Sequence, residues 1–172
     1  MARPSRAPAL SRLDRLAEWL GAISGFQQPV DQVLSARFRA DAGLGPRERQ
    51  FLAESVYAGV RHWALHASLL RAEGWKPADR TYARRQALMA AGVAVGLDRI
   101  VSEITDGERA WLLQAQDRLL AETTPITRYS LPNWIWDDWV QQLGAAEAAA
   151  CATKMLEPAG LDLRVNLIKA SR

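Results

Sequence analysis

At 172 residues, with 49% apolar and 24% charged side chains, the chain is long enough to bury a core of its own and has the balance of an ordinary globular protein. No apolar run approaches the roughly 18 residues that span a membrane. The first eight residues lack the apolar centre of a secretory signal, and the single cysteine, Cys151, excludes an internal disulfide framework and fits a reducing cytoplasm.

Residues 1–8, with two prolines and two arginines, read as a basic arm. A first helix is expected from about Ala9 to Ile23, where Leu10, Leu13, Ala17 and Leu20 recur at helical spacing. A second follows Pro29, with Val33, Leu34 and Phe38 on its apolar side. Gly43 and Gly45 break the chain, and Pro46 suits the first turn of a helix, where its missing N–H costs nothing. From there Leu52, Val56, Val60, Trp63, Ala67 and Leu70 step by threes and fours, which predicts one long helix to about Arg71. A helix over about Arg80–Val95 and a short one over Asp98–Glu103 come next. Thr105 and Glu108 have the spacing of a capping box, opening a helix that carries Trp111, Leu112, Ala115 and Leu119.

Thr123, Thr124 and Pro125 read as a linker. A helix after Pro132 turns Ile135, Trp139 and Leu143 inward and closes at Gly144, and a last helix covers Ala145–Leu156. The pattern then changes. Leu161, Leu163, Val165 and Leu167 alternate with Asp162, Arg164 and Asn166, the period of a half-buried strand. No upstream segment offers it a partner strand, so the expectation is a front piece of a longer protein, cut where a sheet-containing unit begins.

Charge divides unevenly. Residues 1–90 hold 14 Lys/Arg against 8 Asp/Glu, and residues 91–172 hold 8 against 11. Arg37 and Arg39 end the second helix, Arg47 and Arg49 open the third, Arg61 lies further along it, and Arg80, Arg84 and Arg85 cluster at the start of the next. Such a set can grip phosphates without sequence preference. It can equally be a solvated surface paired to Glu48, Glu54 and Asp79, and composition leaves both readings open. His62 and His66 share a helix face but have no further histidine and no zinc-protease glutamate, so no metal is expected. Cys151 sits among alanines, which suggests a packed thiol. No glycine-rich phosphate loop follows a strand. Trp134, Trp136 and Trp139 crowd one helix, where docking on a neighbour or core packing stands beside base stacking.

Residues Gly45 to Arg61 resemble a known family. Arg47, Arg49, Phe51, Val56, Tyr57, Val60 and Arg61 match the helix "Arg-x-Arg-x-Phe … Val-Tyr-Gly-Val-Arg" of bacterial RsmB/Sun-type rRNA (cytosine-5)-methyltransferases, with Ala58 standing before Gly59. Leu131, Pro132 and Trp134 are similar to that family's "Leu-Pro-x-Trp" helix start. The stretch from Pro158 to Asn166, with Lys169, is similar to its "Pro-Leu-Asp-Leu-Arg-Val-Asn-Thr-Leu-Lys" segment, with Ile168 one departure.

The resemblance implies an all-α, NusB-like RNA-binding domain over residues 1–124. Residues 125–172 would then be a linker and the truncated start of an α+β subdomain, with two helices and a first strand. It implies 16S rRNA and the parent's own catalytic domain as partners, with Trp134, Trp136, Trp139, Arg164 and Asn166 at the contact between domains. Family members bind S-adenosylmethionine elsewhere and use cysteines in Pro-Cys and Thr-Cys motifs. Neither motif occurs here, so the expected role is substrate targeting without catalysis. The competing expectation is a stand-alone NusB-like module for protein interaction or transcription antitermination.

Overall fold

The computed structural model describes residues 11–121 and 124–160, and these form helices and turns without a strand. The strand expected at 161–167 and the basic arm at 1–8 lie outside the described residues. Helix α1 (Arg12–Ile23) begins at Ser11, whose hydroxyl accepts the amide of Asp14 at 3.1 Å. That satisfies one of the N–H groups a helix start leaves without a partner. Leu13, Leu16, Leu20 and Ile23 recur at threes and fours along α1 and are almost wholly buried.

This apolar stripe packs on α3 (Pro46–Arg61) and α5 (Arg80–Val95). Leu52 and Val56 of α3 and Leu88 of α5 complete the layer, and each fully buried side chain of this kind stabilises by about 2 kcal/mol. The three helices meet at Gly59. A Cβ there would stand 3.0 Å from both the Ala90 Cβ and a Leu20 δ-carbon, so the contact accommodates hydrogen and little more. Helix α2 (Val30–Ala40) lays Leu34 into the same core, and Phe38 meets Trp19 edge-on at 5.2 Å.

The long helix expected from Pro46 to Arg71 is broken. Helix α3 stops at Arg61, His62 leaves helical geometry at φ −102° and ψ 20°, and α4 (Trp63–Ala72) starts anew. The amide of Ala64, just past the break, donates to the hydroxyl of Ser130 at 3.2 Å. An acceptor 66 residues away in sequence thus takes a donor that an unbroken helix would use internally. Helix α5 ends where expected, at Val95. The short helix expected at Asp98–Glu103 is two 3-10 turns, Leu97–Arg99 and Val101–Glu103. Helix α6 (Asp106–Leu120) carries the capping box in full, with Thr105 and Glu108 satisfying each other's backbone N–H groups.

Pro125 begins a short helix, α7 (Pro125–Tyr129), where a linker was expected. It packs on α4, and α8 (Asn133–Leu143) and α9 (Ala145–Leu156) follow, with α9 touching α3 and α7. Gly144 joins α8 to α9 at φ 81°, a backbone that favours glycine. Ile135 and Trp139 are half-buried, but Leu143, expected inward, is 48% exposed. By helical angle Leu143 shares the face of Ile135, Trp136, Trp139 and Val140, but it is the last residue of α8, just before the turn at Gly144.

Candidate nucleic-acid interface

The outer side of α3 is a narrow polar stripe. At 100° per residue, Arg47, Gln50, Glu54, Tyr57 and Arg61 fall within roughly a quarter of the helix circumference. Arg47 is exposed and makes no ion pair among the described residues. Tyr57 is 40% exposed. Arg61 is half-buried at the end of the helix, and its Nε is shielded from solvent without a hydrogen-bond partner. Glu54, between them, accepts from Gln50 at 2.8 Å. From Arg47 to Arg61 the ridge runs about 21 Å at 1.5 Å per residue. Arg39, in the last turn of α2, is also exposed without an ion pair among the described residues.

Other arginines of the basic set are engaged within the fold. Arg37 pairs with Glu18 at 2.6 Å. Arg49 donates from Nε to the Leu44 carbonyl at 2.9 Å and lies over the Phe38 ring, which pins the turn before α3. Arg84 bridges Glu108 at 2.8 Å, Asp14 at 3.2 Å and the Glu103 carbonyl, tying α5 to α1 and α6. The Arg84 guanidinium is also the main reason the Glu108 carboxyl titrates below its ordinary value.

Arg85 is held on more sides by aromatic rings than the others of the set. Its guanidinium lies between the rings of Trp75 (4.8 Å) and Trp111 (4.5 Å) and pairs with Glu73 at 2.7 Å. Glu73 also receives Arg118 at 2.6 Å and the indole N–H of Trp111 at 3.0 Å. One carboxylate at the end of α4 thus joins α5 and α6. Nothing in the residue spacing announced this clamp, because the partners of Glu73 lie 12 to 45 positions from it. Among the described residues Arg80, at the start of α5, is exposed without an ion pair, as are Arg39 and Arg47, whereas Arg84 and Arg85 further along α5 are engaged. Tyr57 is the functional candidate that the arginine pattern missed. Its signal was its position four residues before Arg61, on the same helical face.

A cleft of about 890 Å³ opens between α1, α5 and the start of α6. Arg84, Arg85, Glu108 and Trp111 line it but are already paired with one another or with Glu73 and Asp14, which makes it a seam between packed helices. His62 and His66 stack at 5.9 Å. His66 is wholly buried with neither ring nitrogen hydrogen-bonded, and burial, helped by the neighbouring His62, lowers its pKa to about 3. Burial and then Arg61 lower that of His62. No group of three or more His, Cys, Asp or Glu among the described residues is placed to hold a metal. Cys151, expected to be packed, is partly exposed.

Comparison with protein-family models, with curated proteins and with solved structures finds no match.

On α8 the three tryptophans separate. Trp134 is 72% exposed, while Trp136 stacks on Tyr129 at 5.5 Å and, like Trp139, is half-buried. Helix α8 buries no residue completely and carries Asp137 and Asp138 on its outer side. Arg164 and Asn166 lie outside the described residues. Among the described residues no strand precedes a glycine-rich turn. No described helix is long and apolar enough to cross a membrane.

Proposed function

We propose that this chain is the RNA-binding, substrate-targeting region of an rRNA (cytosine-5)-methyltransferase of the RsmB/Sun type. In this reading residues 1–124 are a NusB-like domain, and residues 125–172 lead toward a separate catalytic domain. That domain, and not this region, binds S-adenosylmethionine and carries the nucleophile. The partner is 16S rRNA in the cytoplasm.

The observation that carries the reading is the α3 stripe. Two arginines of the family-like motif, exposed Arg47 and half-buried Arg61, are without ion pairs among the described residues, with Arg39 close by in sequence on α2. A surface whose cations are not neutralised internally can release counterions from a phosphate backbone, whereas paired ones such as Arg84 cannot do so without breaking the fold. The test is binding of the chain to fragments of 16S rRNA. Reversal of Arg39, Arg47 and Arg61 to Glu should abolish binding at moderate salt while leaving the helical circular dichroism intact. Undiminished affinity would overturn the assignment.

The second reading, a protein-docking module, draws on α8. Exposed tryptophan is a common anchor of protein interfaces, and Trp134 is 72% exposed. In the targeting proposal the docking surface is that of the parent's own catalytic domain, and Trp136 and Trp139 anchor the opposite side of α8 to this chain. Asp137 and Asp138 beside it favour a polar surface with basic groups. A shift in tryptophan emission on adding the catalytic domain, lost in Trp134→Ala, would support this contact.

A further inference from the structure

We infer that the α3 stripe selects unpaired RNA, with Tyr57 stacking on an exposed base and Arg61 holding an adjacent phosphate. The inference rests on the RNA-binding reading above and specifies which RNA the face takes. Three features of the stripe carry it.

Tyr57 is a large ring, 40% exposed, on a ridge otherwise polar. It makes no ring contact with another described aromatic, unlike Trp19, Phe38, Tyr129 or Trp136. A ring left on a phosphate-binding surface has value where a base can lie on it, and every base offers such a face. In an A-form duplex those faces are covered by neighbouring pairs, and the shallow groove shows only base edges and 2′-hydroxyls. A loop, bulge or end exposes them.

Arg61 follows Tyr57 by one helical turn, about 6 Å along the axis. Ring and cation therefore stand side by side, and one nucleotide can place its base on the first and its phosphate near the second. Arg contributes both charge and a flat, stackable plane, which suits this neighbour role.

Glu54 supplies discrimination. Its carboxylate sits on the ridge between Arg47 and Arg61, held by Gln50 at 2.8 Å. The stiff, regular phosphate row of a duplex laid along α3 would bring a phosphate against it. A flexible single strand can direct its phosphates to the flanking arginines and avoid it. Phosphate contact alone would not separate the two forms of RNA.

The experiment compares a fluorescently labelled unpaired RNA oligonucleotide with the blunt duplex made from it, by anisotropy at fixed salt. The wild-type chain should bind the single strand about tenfold more tightly, on the scale of one base–aromatic stack. Tyr57→Ala should remove most of that preference, Tyr57→Phe should keep it, and Glu54→Gln should strengthen duplex binding more than single-strand binding. Equal affinity for strand and duplex, or a Tyr57→Ala variant with the wild-type preference, would overturn the inference while leaving salt-dependent RNA binding in place. Failure of the RNA-binding reading looks different: neither RNA binds, or Arg47→Glu and Arg61→Glu change nothing.

Discussion

The hydroxyl of Ser130 accepts the backbone amide of Ala64 at 3.2 Å, and this bond sits at the point where α3 gives way to α4. Ser130 holds a left-handed backbone, φ 52° and ψ 34°, at the end of α7. Its side chain is thereby aimed at the amide that the break at His62 exposes. The two features support each other: the break provides a donor without a helical acceptor, and the turn after α7 provides the acceptor. The bond also fastens the C-terminal helices α7–α9 to the outer edge of the α1–α3–α5 core.

Replacing Ser130 with alanine should destabilise the protein by about 1–2 kcal/mol, because a partly buried amide loses its partner. Ser130→Gly should cost less, because glycine relieves the positive φ that a side chain resists. Urea unfolding midpoints of the two variants check the order. An alanine variant as stable as wild type would show that the bond does not hold the two parts together.

The Glu73 carboxylate joins Arg85, Arg118 and the Trp111 indole, and its side chain is 13% exposed. Glu73→Ala leaves Arg85 enclosed between two tryptophans without its counter-charge. A loss of about 3 kcal/mol is expected, the scale of breaking an enclosed pair from one side. Arg118 is 48% exposed, so Arg118→Ala should cost less than about 1 kcal/mol. The contrast between these two variants, read from their urea midpoints, is the informative quantity, since both delete one member of the same network.

His66 sets a pH dependence. In the unfolded chain it titrates at its ordinary 6.5, and in the folded protein at about 3. Between those values the unfolded state binds more protons, so stability is full above pH 6.5 and falls as the pH drops below it. The slope approaches about 1.4 kcal/mol per pH unit for one group. His62, lowered for the same reason, adds in the same direction. Glu108, also lowered, acts below its ordinary 4.5, so the interval from pH 5 to 6.5 reports chiefly on the histidines. Thermal melts across that interval should show a falling midpoint in the wild type and a flatter profile in His66→Leu.

Helices whose stop signals are local were legible in the sequence. The capping box at Thr105, the proline at 46 and the glycine at 144 act within a turn of themselves, and α5, α8 and α9 lie where the periodicity put them. The break at His62 was not legible, because Leu52 to Leu70 keep an apolar period through it and the competing bond comes from Ser130. The arginines show the same division. Their clustering marked a basic region, yet only partners remote in sequence decide which of them stay unpaired. Glu108, 24 residues from Arg84, and Glu73, 12 from Arg85, turn two candidates into fasteners of the fold. Arg47 and Arg61 have no such partner among the described residues.

The central claim is that the unpaired cations of α3 meet RNA phosphates. It is tested most directly by the salt dependence of binding to a 16S rRNA fragment, comparing the wild type with the Arg47→Gln, Arg61→Gln double variant. If both arginines neutralise phosphates, the slope of log affinity against log salt should become shallower by roughly 1.5 in the variant, at about 0.7–0.9 for each phosphate left without its arginine. An unchanged slope in a variant that folds normally would contradict the account.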